Sequence, residues 1–176
     1  MAGDIKAKWS ATTVTVTTTN LVTACTHTAT WLTGWTSSSY ANTGGNLDYL
    51  YSGQFTLAAA SASAGQITVY VVSSLNDTPA WTAVSSGTLG TESATPVVFA
   101  DTQRRDAIVR LLVTIPVSAT NGGIFTFPQT GIAMLFGGTV PTHHCLWVTA
   151  NCNTSTNANF QATCAIYQEP SIGQYT

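Results

Sequence analysis

Apolar and polar positions alternate with a period of two along most of the chain, the pattern of strands that bury one face. The first such run is Thr13-Val14-Thr15-Val16-Thr17, with valines on one side and threonines on the other. Leu47 to Leu57 is long enough to cross a sheet. Gln66 to Val72 follows after the small, polar stretch Ala60-Ser61-Ala62-Ser63-Ala64-Gly65, so these two runs read as antiparallel neighbours. Ala107 to Ile115 is the most apolar run and is expected at the centre of a sheet. Leu146 to Ala150 and Phe160 to Tyr167 are expected to form a last hairpin. Turn signals at Gly44-Gly45, Asn121-Gly122-Gly123 and Gly137-Gly138 punctuate the runs. The one helical candidate, Asp101 to Ala107, is a single short turn before the central strand. This predicts an all-β fold: one domain over residues 1–176, an antiparallel two-sheet sandwich of the jelly-roll kind. Residues 1–9 precede the first alternating strand and are expected to form a loose N-terminal arm. Thr36 to Gly45 and Thr82 to Thr95 lack periodicity and read as long surface loops, where partner contacts often lie.

Composition sharpens this. Hydrophobic residues make up 44% of the 176, an ordinary share, but only 7% are charged, against roughly 25% in an average soluble protein. Threonine, at 32 copies, fills much of the difference and suits pleated, half-buried positions. A formal charge of -2 with that hydrophobicity excludes a disordered chain. Five basic residues argue against nucleic-acid binding, which draws on many phosphate contacts. No run of about 18 apolar residues is present to cross a membrane as a helix. The N-terminus lacks the basic start and apolar core of a secretory leader, so synthesis and folding in a cytoplasm are expected. Of the four cysteines, Cys25 stands alone and Cys145, Cys152 and Cys164 cluster. A cytoplasmic origin reads them as free, buried, small hydrophobes. Two disulfides in any of three pairings stay open.

Candidate chemistry is sparse. Seven carboxylates are present, and nothing in their spacing marks a catalytic pair. Asp77 belongs to the turn pattern Asn76-Asp77-Thr78-Pro79. Asp48, among apolar neighbours, reads as a solvent-facing strand residue or an arginine's partner. His143 and His144 lie near Cys145 and Cys152, yet adjacent histidines point to opposite faces of a strand and no Cys-x-x-Cys occurs. No metal, cofactor or enzymatic activity is expected. Gly-x-Ser-x-Gly and phosphate-cradling motifs do not occur. Asn76-Asp77-Thr78 and Asn153-Thr154-Ser155 match the glycosylation pattern by chance in a chain without a leader. Arg104, Arg105 and Arg110 surround Asp106; the group reads either as local ion pairing or as a docking point for a carboxylate-bearing partner. Lys6 and Lys8 would do the same from the arm, with Ile5 and Trp9 supplying apolar contact on its other face. Trp31 and Trp35, in a polar context beside Gly34, are the tryptophans expected at an interface.

Several segments together resemble a family of virion structural proteins of tailed bacteriophages. They are Asp4-Ile5-Lys6-Ala7-Lys8-Trp9 before a threonine-rich strand, Asn46-Leu47-Asp48-Tyr49-Leu50, Leu75-Asn76-Asp77-Thr78-Pro79, and Leu135-Phe136-Gly137-Gly138 leading through Pro141 to Trp147-Val148. The resemblance covers nearly the whole chain in order and departs after Asn151. It implies a small β protein of the phage head or tail, with no catalytic residues to carry over. The expectation is a capsid decoration (cement) protein on the virion surface, binding the major capsid protein as a homo-oligomer, a trimer. Its partner-binding residues would be Lys6, Lys8, Trp9, Trp35, Arg104 and Arg105. Alternatives are a tail or tail-fibre component, and a carbohydrate-binding module stacking Trp31, Trp35, Tyr40 or Trp81 on sugar rings.

Overall fold

The computed structural model describes residues 5–9, 14–16, 31–43, 45–57, 65–74, 85–93, 95–117, 124–151 and 162–175, with backbone alone for 5–9, 14–16, 56–57 and 162–175. In chain order the strands are β1 (Ile5–Trp9), β2 (Val14–Val16), β3 (Thr33–Thr36), β4 (Tyr40–Ala41), β5 (Asp48–Leu57), β6 (Gly65–Ser74), β7 (Ser85–Ser86) and β8 (Val97–Phe99). A short helix α1 (Thr102–Ile108) leads into β9 (Val109–Val117) and β10 (Ile124–Gly131). A 3-10 turn (Ala133–Phe136) precedes β11 (His143–Ala150) and β12 (Ala162–Tyr175).

These strands form two antiparallel sheets. The first has the order β1-β12-β5-β10, with β2 also on β12; the second runs β7-β8-β3-β11-β6-β9, with β4 also on β11. The period-two pattern explains how they stack. Odd positions of β5 (Tyr49, Tyr51, Phe55) and of β6 (Ile67, Val69, Val71) meet Leu146, Val148 and Ala150 of β11 in one buried cluster. The fold is an all-β sandwich.

The second sheet is buried on its other face too. Val72, Cys145 and Trp147 point away from the first sheet and pack with Leu89, Val97, Phe99 and Val109. The long connection from β6 to β9, with β7, β8 and α1 in it, supplies that cover. Hence all but the first residue of β11 are buried. Asp101 caps α1 by accepting the Arg104 N–H at 2.7 Å, and the chain turns extended at Val109. The helical candidate is therefore present, about two turns long. The presumed loop Thr82–Thr95 is pinned in its described part by β7 and the buried Leu89. No helix among the described residues is long and apolar enough to cross a membrane.

Three strand expectations are corrected. β5 and β6 are not neighbours, because β6 lies in the opposite sheet, and β11 and β12 likewise belong to different sheets. The apolar run Ala107–Ile115 is not central: β9 ends its sheet's order, beside β6. Its register slips between Val69 and Tyr70 of β6, leaving Leu112 as the extra residue of a bulge. Before the bulge Val109 faces the outer cluster, and after it Ile115 and Val117 face the inter-sheet core. A strand that changes its buried face midway reads as continuously apolar. The presumed loose arm is also corrected over Ile5–Trp9, which pairs as β1 with Ser171–Tyr175 of β12.

Candidate functional site

At one end of the sandwich, the start of β5, the 3-10 turn, the β3–β5 connection and the start of β11 converge. Asp48 holds them. Its Oδ1 accepts the N–H groups of Tyr49 at 2.8 Å, Ile132 at 3.0 Å and Ala133 at 2.8 Å. The half-buried carboxylate thus ties the β10–β11 connection to β5, and it is neither solvent-facing nor paired with an arginine. Gly131 belongs here because a Cβ would collide with the Asp48 carboxylate. Gly137 and Gly138, with φ of 73° and 94°, take the left-handed conformations that let the chain leave the turn.

Beside this lies a tyrosine–histidine cluster. His144 is buried with Tyr40, Tyr49 and Tyr51 around it, ring centroids 6.0, 5.0 and 5.9 Å away. Tyr51 Oη is 2.7 Å from His144 Nε2, while Nδ1 has no partner among the described residues. Burial, with the neighbouring His143 adding to it, lowers the imidazole pKa from 6.5 to about 4, so the ring is neutral at pH 7. Burial raises the Tyr51 hydroxyl well above its ordinary range. It also raises Tyr49, against a smaller opposing effect of the hydrogen bond from Asn46. Asn46 Nδ2 donates to Tyr49 Oη at 2.7 Å, and Asn42 and Asn46 close their loop through bonds of 2.8 and 3.1 Å. Neutral, hydrogen-bonded and buried, this cluster holds the loops together. It offers no nucleophile.

Two cavities flank the chain at 138–140. The smaller, about 270 Å³, is lined by Asn42, Asn46, Leu47 and Gly138 among others. The larger, about 500 Å³, is lined by Ser73, Arg110, Leu135, Phe136, Pro141 and Thr142 among others.

The residues expected to bind a partner are not brought together. Trp35 is 4% exposed in the inter-sheet core, so it is corrected from an interface to a packing residue. Gly34 precedes it because a Cβ there would lie 2.5 Å from the Val148 carbonyl and 2.6 Å from the Trp147 ring. Trp31 is half-buried, with φ of 57°, and its carbonyl accepts Arg105 Nη1 at 2.9 Å. Arg105 is also bound to Asp106 at 2.7 Å and lies 5.9 Å from the Tyr70 ring centroid. With its side chain 13% exposed it is an internal clasp rather than a docking group. The hydrogen bond to Asp106 raises its pKa further. Arg104 is exposed, 3.3 Å from Asp101. Lys6 and Lys8 sit two positions apart in β1, with Trp9 next to Lys8, opposite Gln174, Ile172 and Ser171 in turn; their side chains lie outside the described residues. Trp81, Asp77, His27, Cys25, Cys152 and Asn153 lie outside them as well.

Cys145 is free and buried, its thiol 3.5 Å from Thr36 Oγ1 and pushed up to about 12 by burial. It is a thiol, not a thiolate ligand. Among the described residues no three His, Cys, Asp or Glu side chains gather as a metal site. Sequence reasoning missed Asp48 as a clamp and Arg110 as a cavity residue, since neither role leaves a local pattern. No protein-family model, curated protein or solved structure matches the chain.

Proposed function

We propose that this protein is a phage virion structural protein, a capsid decoration (cement) protein that binds the assembled head shell and stabilises it. The observation that carries the reading is the strand order. Taking β1 and β2 as one interrupted strand and setting aside the short β4, β7 and β8 leaves eight strands. Numbered along the chain, one sheet then has the order 1-8-3-6 and the other 2-7-4-5. We read this as jelly-roll connectivity, in which each connection except the fourth-to-fifth passes to the opposite sheet. Viral shells use that architecture, as do lectins, so fold alone is an analogy. The sequence resemblance to phage virion proteins tips the choice. The charge-poor composition adds to it, because broad surfaces with few ions cost less to desolvate.

The partner in this reading is the major capsid protein, and copies would associate about a threefold axis of the lattice. Electron cryo-microscopy of particles carrying the chain tests it. Density repeating over the shell is expected; density on the tail alone, or on no part of the particle, overturns the proposal. Copy number gives a second measure, many per virion for decoration and few for a tail component.

A further inference from the structure

Arg110 stands apart from the other two arginines. Arg104 and Arg105 each have an aspartate within 3.3 Å, whereas no carboxylate pairs with Arg110 among the described residues. Its Nη1 is held by the carbonyls closing α1, at 3.0 Å from Val109 O and 3.4 Å from those of Asp106 and Ala107. A guanidinium has five N–H donors. Here Nη1 anchors the group, and Nε and Nη2, the edge that grips a carboxylate with two parallel bonds, have no partner among the described residues. Pairing with Val71, which faces the inter-sheet core, sets Arg110 at the mouth of the sandwich.

That mouth is the cavity of about 500 Å³, a size typical of small-ligand sites. The half-buried Phe136 and Leu135 and the buried Pro141 line it with Arg110 and give it an apolar wall. Ser73, Thr139 and Thr142 add three hydroxyls, and among the described residues no acidic side chain lines the cavity. One fixed cation, an apolar wall and several neutral hydrogen-bonding groups match a molecule with a carboxylate, a ring face of C–H bonds and hydroxyls. We propose that this cavity binds an acidic sugar of the uronate class, its carboxylate on Arg110, its ring against Phe136 and Pro141, and its hydroxyls on the serine and threonines. The site is independent of the virion reading, since it is measured on the free protein.

The test is titration of the full chain with sodium D-glucuronate, followed by amide and side-chain NMR shifts. D-Glucose supplies the ring without the charge, and sodium acetate the charge without the ring. Glucuronate is expected to move the resonances of Phe136, Thr139, Val140 and Thr142 with millimolar affinity, and each control to bind about tenfold more weakly or worse. Arg110→Gln should weaken glucuronate binding about tenfold while leaving glucose unchanged, and Arg110→Lys should recover only part because an ammonium lacks the paired edge. Phe136→Ala, which leaves the Arg110 bonds to the α1 carbonyls in place, should weaken glucuronate and glucose alike, and it carries the test should the Arg110 variants unfold. No saturable shift by about 50 mM, equal affinity for glucuronate and glucose, or undiminished binding in both Arg110→Gln and Phe136→Ala would overturn the proposal.

Discussion

The imidazole of His144 and the carboxylate of Asp48 lie at the same end of the sandwich and act through opposite physics. His144 is enclosed by Tyr40, Tyr49 and Tyr51, and burial holds its pKa near 4 instead of 6.5. Between those values the unfolded chain binds a proton that the folded chain refuses. This contribution is therefore complete above pH 6.5 and falls as pH drops, by about 3 kcal/mol at pH 4 and below. Urea midpoints should decline from pH 7 to pH 4.5, and His144→Gln, which cannot titrate, should flatten that decline. Equal slopes in the two proteins would show that His144 is not the group responsible. Asp48 instead stabilises through what it accepts, three backbone N–H groups from two segments. Asp48→Ala leaves the N–H groups of Ile132 and Ala133 without that acceptor and should cost about 2–3 kcal/mol in thermal or urea unfolding. Asp48→Asn keeps an acceptor oxygen and should cost about 1 kcal/mol. Faster amide exchange at Ile132 and Ala133 should accompany the alanine variant, since these N–H groups lose the carboxylate that holds the turn to β5.

At the scale of elements, Leu111 and Leu112 differ only in their relation to the bulge of β9. Leu111 is 51% exposed opposite Tyr70, whereas Leu112 is 8% exposed and packs in the inter-sheet core. Leu112→Ala should cost about 2–4 kcal/mol and Leu111→Ala less than about 0.5 kcal/mol. Matched unfolding curves check this, and equal losses would mean the register shift is misplaced. The same strand shows where sequence reading stops. Alternation identifies strands and their buried faces, and β5, β6, β9, β11 and β12 all overlap runs visible as alternating or apolar stretches. Partners are a different matter. A hairpin and a crossover to the opposite sheet need the same period-two pattern, so β5–β6 and β11–β12 looked like pairs and are not. The turn residues at Gly137-Gly138 were legible because φ > 0 demands particular residues locally. Asp48 and Arg110 were not, since the 3-10 turn that Asp48 binds lies 84 residues on in sequence.

At the scale of the whole molecule, charge is scarce enough that its placement carries meaning. Of five basic residues, Arg104 and Arg105 are matched by aspartates and Arg110 sits in a cavity mouth. Lys6 and Lys8 remain, two positions apart in β1 and so on one face of it. The pairing of β12 with β5 ends at Ser171 opposite Asp48, while its pairing with β1 continues to Tyr175 opposite Ile5. The segment carrying both lysines is thus part of a two-stranded ribbon reaching past the end of β5. In the decoration reading this ribbon is the element that meets an acidic surface of the shell. A chain that binds only assembled shell stabilises it by about 2.7 kcal/mol at a hundredfold excess over Kd, so small losses of affinity are visible as lost occupancy. Truncating residues 1–8 is the wrong experiment, because it strips β1 from β12 and exposes a sheet edge. Lys6→Glu with Lys8→Glu keeps the strand and reverses its charge. On particles reconstituted with the purified double variant, occupancy by gel densitometry should fall sharply at low salt. The difference from wild type should close as salt rises and shortens the screening length to about 3 Å near 1 M. Equal occupancy of the two proteins at every salt concentration would leave the ribbon with no electrostatic part in attachment.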